Sequence, residues 1–231
     1  MIVVEQLKKQ YRDQVVVDID QLTIAQRESF GLVGNNGAGK TTLFRMVLDL
    51  VRPTSGSVTI NGTNVQGNDE WKHYVGSYLD ENFLIPYLSP EEYFKFVSKL
   101  HNYTEEDLKN FYAKFEDLFH GEIIGKNKFI GDLSKGNVKK VGIAAAFIGN
   151  PQVIMLDEPF ENLDPTSQIR LKDLLRSERE TRNITYLISS HDLNHVTEIC
   201  GRIVILEKGK VIKDLKGNEN ALMELEEYFK A

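Results

Sequence analysis

The chain reads as an α/β protein: a mainly parallel sheet core, an antiparallel β segment at its start, and a mostly helical insert. Three observations predict this. Short apolar runs at 29–33, 153–156 and 184–189 have the composition of strands buried on both faces, and each is followed by a helical pattern. Residues 1–30 instead alternate apolar with polar and are rich in β-branched side chains (Ile2, Val3, Val4, Val15, Val16, Val17, Ile19), as half-buried antiparallel strands do. From about residue 80 to 149 the periodicity becomes helical.

Taken in order, the strand at Ser57–Ile60 is followed by Asn61-Gly62, a pair that tolerates positive φ and so favours a tight hairpin. Ser89-Pro90-Glu91-Glu92 spells a capping box with proline at the first helical position. Leu108, Phe111, Tyr112, Phe115, Leu118 and Phe119 recur at three- and four-residue steps, which predicts one buried aromatic face that serves core packing. A further helix is expected over Val138–Ile148. Cys200 is expected buried between a helix and the strand Ile203–Leu206, with Gly201 as the helix stop. An amphipathic helix is expected at Asn220–Phe229. No repeat or Gly/Ser/Pro-rich linker divides the chain. The expected organisation is a single domain, with 1–79 and 150–231 forming the core and 80–149 the helical insert.

Composition narrows the function. The 231 residues are enough to bury roughly 70–75% of the surface exposed in the unfolded chain. Lys and Arg number 28 against 34 Asp and Glu, a net charge of -6, which disfavours a dedicated nucleic-acid binder. The single cysteine excludes an intramolecular disulfide and suits a reducing compartment. The uncharged stretch Val141–Leu156 is interrupted by Gly149, Asn150 and Pro151, short of the about 20 apolar residues a spanning helix needs. The start, Met1-Ile2-Val3-Val4-Glu5, has no secretory-signal pattern. A cytoplasmic location is expected.

Chemistry enters at three strand ends. Gly34-Asn35-Asn36-Gly37-Ala38-Gly39-Lys40-Thr41 matches the phosphate-loop pattern at every fixed position, after an apolar strand and ahead of a helix beginning with Thr42 and Leu43. Its glycines let backbone amides turn toward phosphate oxygens, Lys40 supplies a cation, and the Thr41 hydroxyl suits Mg²⁺. Asp157 and Glu158 close the buried run from Val153; a divalent ion explains Asp157, which leaves Glu158 to orient or deprotonate a water. His191 follows the third run, where ligands gather at the carboxyl ends of strands, and is read as a γ-phosphate contact. His195, four residues on, is read as structural. Ser134 with Gly136, ahead of a helix, offers a weaker anion-binding end.

These motifs, with Leu133–Asn137, Met155–Pro159, Asn162-Leu163-Asp164 and Ser190-His191, fall in the order seen in the ATP-binding cassette (ABC) transporter ATPases, and the resemblance spans nearly the whole chain. It implies a phosphate-loop NTPase fold and a sandwich dimer, with each ATP between the phosphate loop of one subunit and the signature helix of the other. On that template Lys40 contacts the β- and γ-phosphates, Thr41 and Asp157 serve Mg²⁺, and Glu158 is the catalytic carboxylate. His191 senses the γ-phosphate, Ser134 and Gly136 clamp it in trans, Asp164 lies at the dimer interface, and Tyr11 stacks on adenine.

Two departures stand out. The usual signature Leu-Ser-Gly-Gly-Gln has Lys135 for its first glycine and Asn137 for its glutamine. The family's glutamine-bearing loop should fall in Gly76–Asn82, where no glutamine occurs; Asp80, by register, or Glu81 must replace it as a ligand of Mg²⁺ or its water. One phosphate loop supplies half of each composite site, so a second subunit, like or unlike, is required. The expected role is that of an ATP-hydrolysing subunit driving a separate membrane permease, which docks near Asn82–Leu88 and holds the chain at the cytoplasmic face. The alternatives are a soluble relative acting on ribosomes or DNA, and a regulator without turnover.

Overall fold

A computed structural model describes residues 1–216 together with Met223 and Leu225. The helix expected at Asn220–Phe229 lies for the most part outside the described residues. Strands β1 (Ile2–Tyr11) and β2 (Gln14–Ile24) pair antiparallel, and β1 also pairs with β4 (Ser55–Ile60), which turns into the short β5 (Thr63–Asn64). Asn61 and Gly62 both take positive φ, the two-residue turn expected of that pair.

The second sheet has the order β10-β9-β3-β8-β7-β6 among the described residues. β3 (Ser29–Val33), β6 (Val75–Tyr78), β7 (Val153–Asp157), β8 (Thr185–Ser190) and β9 (Arg202–Glu207) run parallel, and β10 (Lys210–Lys216) joins the edge antiparallel. Alternation along β7 explains its unbroken apolarity: Val153 and Met155 enter one core, Ile154 and Leu156 the other. The first core is shared with the antiparallel sheet and with α1 (Lys40–Val47), through Ile2, Val4, Val17, Leu43 and Phe44. The second lies beneath α2 (Pro90–Leu100), α3 (Glu105–Phe119), α4 (Lys135–Ala145), α5 (Pro165–Arg182) and α6 (Leu193–Ile199).

The segment between β6 and β7 is helical. Ser89 caps α2, its hydroxyl accepting from the Glu92 amide while the Glu92 carboxylate accepts from the Ser89 amide at 2.8 Å. Replacing Ser89 with alanine should cost about 1 kcal/mol in urea denaturation, since one orphan amide loses its acceptor. The aromatic face of α3 is buried as its spacing predicts: the Phe111 and Phe115 rings lie 4.9 Å apart, and Phe115 meets Phe147 at 5.4 Å.

Two expectations are corrected. The helix over 138–148 is α4, which begins earlier because Ser134 caps it and ends at Ala145, where Ala146–Ile148 tighten into a turn. Gly201 does not stop α6 in a left-handed cap. The helix ends at Ile199, Cys200 is extended, and the Gly201 amide donates to the Ser29 carbonyl and hydroxyl, at 2.9 and 2.8 Å. Cys200 is buried, and burial pushes its thiol up to about 12.

Candidate functional site

The parallel order β3-β8-β7 brings three distant chain segments to one sheet edge, with Val33 beside Ser190 and Asp157 beside Ser189. From β3 the loop Gly34–Gly39 leads into α1. Asn35, Asn36 and Gly37 are exposed, whereas Gly34, Ala38 and Gly39 are buried. Gly39 takes φ +108°, and a Cβ there would stand 2.6 Å from the Val16 carbonyl oxygen. The loop is therefore pressed against β2, and no other residue type fits at this position.

Lys40 is 6% exposed, and its ammonium donates to the Gly34 carbonyl at 2.6 Å. It also lies 3.2 Å from Glu158 Oε1. Thr41 donates its hydroxyl to Asp157 Oδ2 at 2.5 Å, and Thr42 follows half-buried in the first turn. Asp157 also accepts a short hydrogen bond from the Ser189 hydroxyl. Burial pushes the Asp157 carboxyl above the usual range, while the bonds from Ser189 and Thr41 oppose that shift.

Glu158 stands one residue past β7 with φ +47°. Its amide donates to Ser189 Oγ at 3.0 Å, and its Oε2 accepts from the His191 amide at 3.2 Å and lies 3.0 Å from His191 Nδ1. Glu158 Oε1 is buried, with the Lys40 ammonium at 3.2 Å as its ionic partner. His195 is turned away from this edge, its ring 4.6 Å from Phe160 and its Nε2 3.5 Å from Asp192.

A cavity of about 370 Å³ opens here, with Thr41, Asp80, Asp157, Glu158 and Lys135 in its wall. Asp80 thus reaches the site, but its carboxylate is already engaged: Oδ2 accepts from Arg45 at 3.1 Å and Oδ1 from the Asn82 amide at 2.8 Å. Ser134 and Gly136 do not line this cavity. Ser134 caps α4, its Oγ accepting from the Asn137 amide at 3.3 Å. Asp164 caps α5, with Oδ1 accepting from the Ser167 amide at 3.0 Å and Oδ2 from its hydroxyl, bonds that hold the carboxyl below its ordinary range. Tyr11 is half exposed beside the β1–β2 turn, three residues before the strand that braces Gly39, and Lys9 Nζ lies 4.7 Å from its ring centre.

Mg²⁺ fits this donor set. Among the described residues no group of three or more His, Cys, Asp or Glu side chains could hold a metal alone. One hydroxyl and one carboxylate completed by phosphate oxygens and water is the arrangement Mg²⁺ favours. Three residues at this site are not marked in the sequence: Ser189, Arg45 and Lys139, the last of which lines the same cavity and donates to the Glu158 carbonyl at 2.7 Å. A serine inside an apolar strand run was the available signal for Ser189; nothing local marked Arg45 or Lys139.

A phosphate-binding loop at a helix start, facing an acidic strand end on a parallel sheet, defines a phosphate-loop nucleotide-binding protein. Comparison with known families matches residues 17–161 to the family described as ABC transporter. The chain is 32% identical over 212 residues to the ABC transporter ATP-binding protein YhaQ of Bacillus subtilis, covering 92% of this chain and 70% of that one. It is 31% identical over 210 residues to the bacitracin transport ATP-binding protein BcrA of Bacillus licheniformis, covering 90% and 67%. In fold it is similar to the ATP-binding cassette MJ0796, solved as a dimer in a post-hydrolysis state bound to ADP and Pi. That match has a TM-score of 0.83 at 24% identity, over 94% of this chain and 99% of that one. The chain belongs to the ABC transporter family, as an ATP-binding subunit and ABC ATPase. Among the described residues no helix is long and apolar enough to cross a membrane.

Proposed function

We propose that two such subunits, like or unlike, close face to face around ATP and Mg²⁺, and that hydrolysis reopens them to drive a separate membrane permease. The observation that carries this reading is the 3.2 Å ion pair of Lys40 with Glu158 Oε1, at the end of the phosphate loop. A terminal phosphate competes for the same ammonium. Once it takes Lys40, Glu158 Oε1 loses its cationic neighbour and is free to accept a proton from the attacking water, while Oε2 stays held by His191.

The remaining residues take roles that follow from their places. Amides of the loop Gly34–Gly39, other than that of Ala38, which donates to the Asn35 carbonyl, and amides of the start of α1 face the phosphates, and Thr42 extends that cradle. Thr41 and Asp157 would hold Mg²⁺, and Asp80, in the same cavity wall, would serve a water of that ion. The bound ion spreads the negative charge of the β- and γ-phosphate oxygens. His191, its Nδ1 against Glu158, keeps Nε2 for the γ-phosphate. Exposed Ser134 and half-exposed Gly136 start α4 with no acid in its first turn, a donor end for the second subunit's nucleotide. Asp164 sits at the dimer interface and Tyr11 stacks on adenine.

The permease docks on the groove of about 430 Å³ lined by Leu84, Pro86, Ile130, Leu133 and Val138. Leu84 is buried, but Phe83 at 52% and Tyr87 at 73% exposure leave aromatic surface for a partner. Sedimentation with Mg²⁺ and a slowly hydrolysed ATP analogue should convert monomer to dimer, and a persistent monomer at high concentration counts against the sandwich. Affinity purification should recover an integral membrane protein, less of it from an F83A/Y87A double variant. Recovery of ribosomes or DNA instead would favour the soluble alternative.

A further inference from the structure

The main chain of Glu158 is gripped from two elements. Its amide donates to Ser189 Oγ of β8 at 3.0 Å. Its carbonyl oxygen accepts from the Lys139 ammonium at 2.7 Å, and more weakly from the Glu161 amide at 3.3 Å. Lys139 belongs to α4, little more than one turn beyond Ser134, and its side chain is 11% exposed. A lysine buried to this extent loses hydration, which lowers its pKa, with Glu161, Glu158 and Asp157 opposing the shift. Its closest carboxylate, on Glu161, is 3.8 Å away, so the shorter contact is with the backbone of Glu158.

That backbone needs holding. A non-glycine residue at φ +47° sits in a sparsely populated, strained region that persists only where the surroundings impose it. The first turn of α4 is packed on the same loop: a Cβ on Gly136 would lie 2.8 Å from the Asn162 carbonyl oxygen. Helix start and acidic loop are thus joined at two points, by close approach at Gly136 and by a charge-assisted hydrogen bond at Lys139.

We propose that Lys139 is a positioning residue that fixes the backbone of Glu158 to α4, so that the carboxylate of one site follows the seat of the helix presenting Ser134 to the other. The proposal rests on the reading of Glu158 as the catalytic carboxylate. Movement of α4 against a nucleotide on the second subunit is then transmitted to Glu158 of its own chain by the Lys139 side chain, beside the close approach at Gly136, and without passing through the phosphate loop.

Lys139→Met keeps the length and removes the charge. Turnover should fall on the order of 10²-fold, the loss expected for a misplacement of about 1 Å, with ATP affinity unchanged. Lys139→Arg, which still reaches the carbonyl, should recover most of it. Hydrogen exchange in the K139M variant should quicken in a peptide covering 155–164 and stay unchanged in one covering the phosphate loop. Normal turnover and exchange in K139M would overturn the proposal, as would a joint fall of kcat and ATP affinity that arginine does not rescue. If the methionine variant does not fold, Lys139→Gln, polar but too short for the contact, is read by the same criteria. Glu158→Gln run alongside separates the two ideas: turnover surviving there sinks the catalytic assignment, whereas turnover lost there but normal in K139M sinks only the role of Lys139.

Discussion

Replacing Glu158 with glutamine should lower ATP turnover by about 10²–10⁴-fold, the usual contribution of a positioned general base, while ATP still binds and the dimer accumulates. Glutamine has nearly the same shape, and its carbonyl oxygen can still accept from the His191 amide, which now donates to Oε2 at 3.2 Å. What it loses is basicity, so the water is left without a proton acceptor. It also loses the charge that draws Lys40 to within 3.2 Å. The lysine is then fully available to phosphate, and affinity for ATP should hold or rise. Single-turnover hydrolysis, together with gel filtration in ATP and Mg²⁺, tests both halves. Unchanged turnover would remove Glu158 from the chemistry.

Lys40→Ala should act on binding. The ammonium, 6% exposed and already desolvated, is preorganised against the Gly34 carbonyl at 2.6 Å. Two charge-assisted bonds to phosphate oxygens at about 1.5–3 kcal/mol each correspond to a loss of roughly 10²- to 10⁴-fold in affinity. The variant also leaves Glu158 without its cationic neighbour, so the melting temperature should fall even without nucleotide. Fluorescent-nucleotide titration and a thermal melt measure the two effects. ATP binding at the native affinity would contradict the phosphate-loop assignment.

Both variants report on the same pair of residues, 118 positions apart in the chain, yet they should fail differently. Glu158 acts after the nucleotide has arrived and Lys40 acts on its arrival. A loss of binding in the glutamine variant, or of turnover alone in the alanine variant, would show that the roles had been exchanged.

Features readable from the residues alone are local. The phosphate loop was legible because its backbone demands glycines at fixed spacing between a strand and a helix. The capping box at Ser89, the turn at Asn61-Gly62 and the aromatic stripe of α3 were legible for the same reason: each is a requirement met within a few consecutive residues. The end of α6 differs from expectation because a distant group intervenes, Ser29 taking the Gly201 amide, whereas the edges of α4 move for local reasons, the Ser134 cap at one end and the turn at Ala146–Ile148 at the other. Tertiary structure alone decided that Arg45 engages Asp80, that Ser189 bonds both Asp157 and the Glu158 amide, and that Lys139 holds Glu158 by its carbonyl. Such pairings depend on the order in which parallel strands are laid down. That order places β8 between β3 and β7 and sets α4 over the loop at 158–162, and it leaves no periodic trace in the residues it joins.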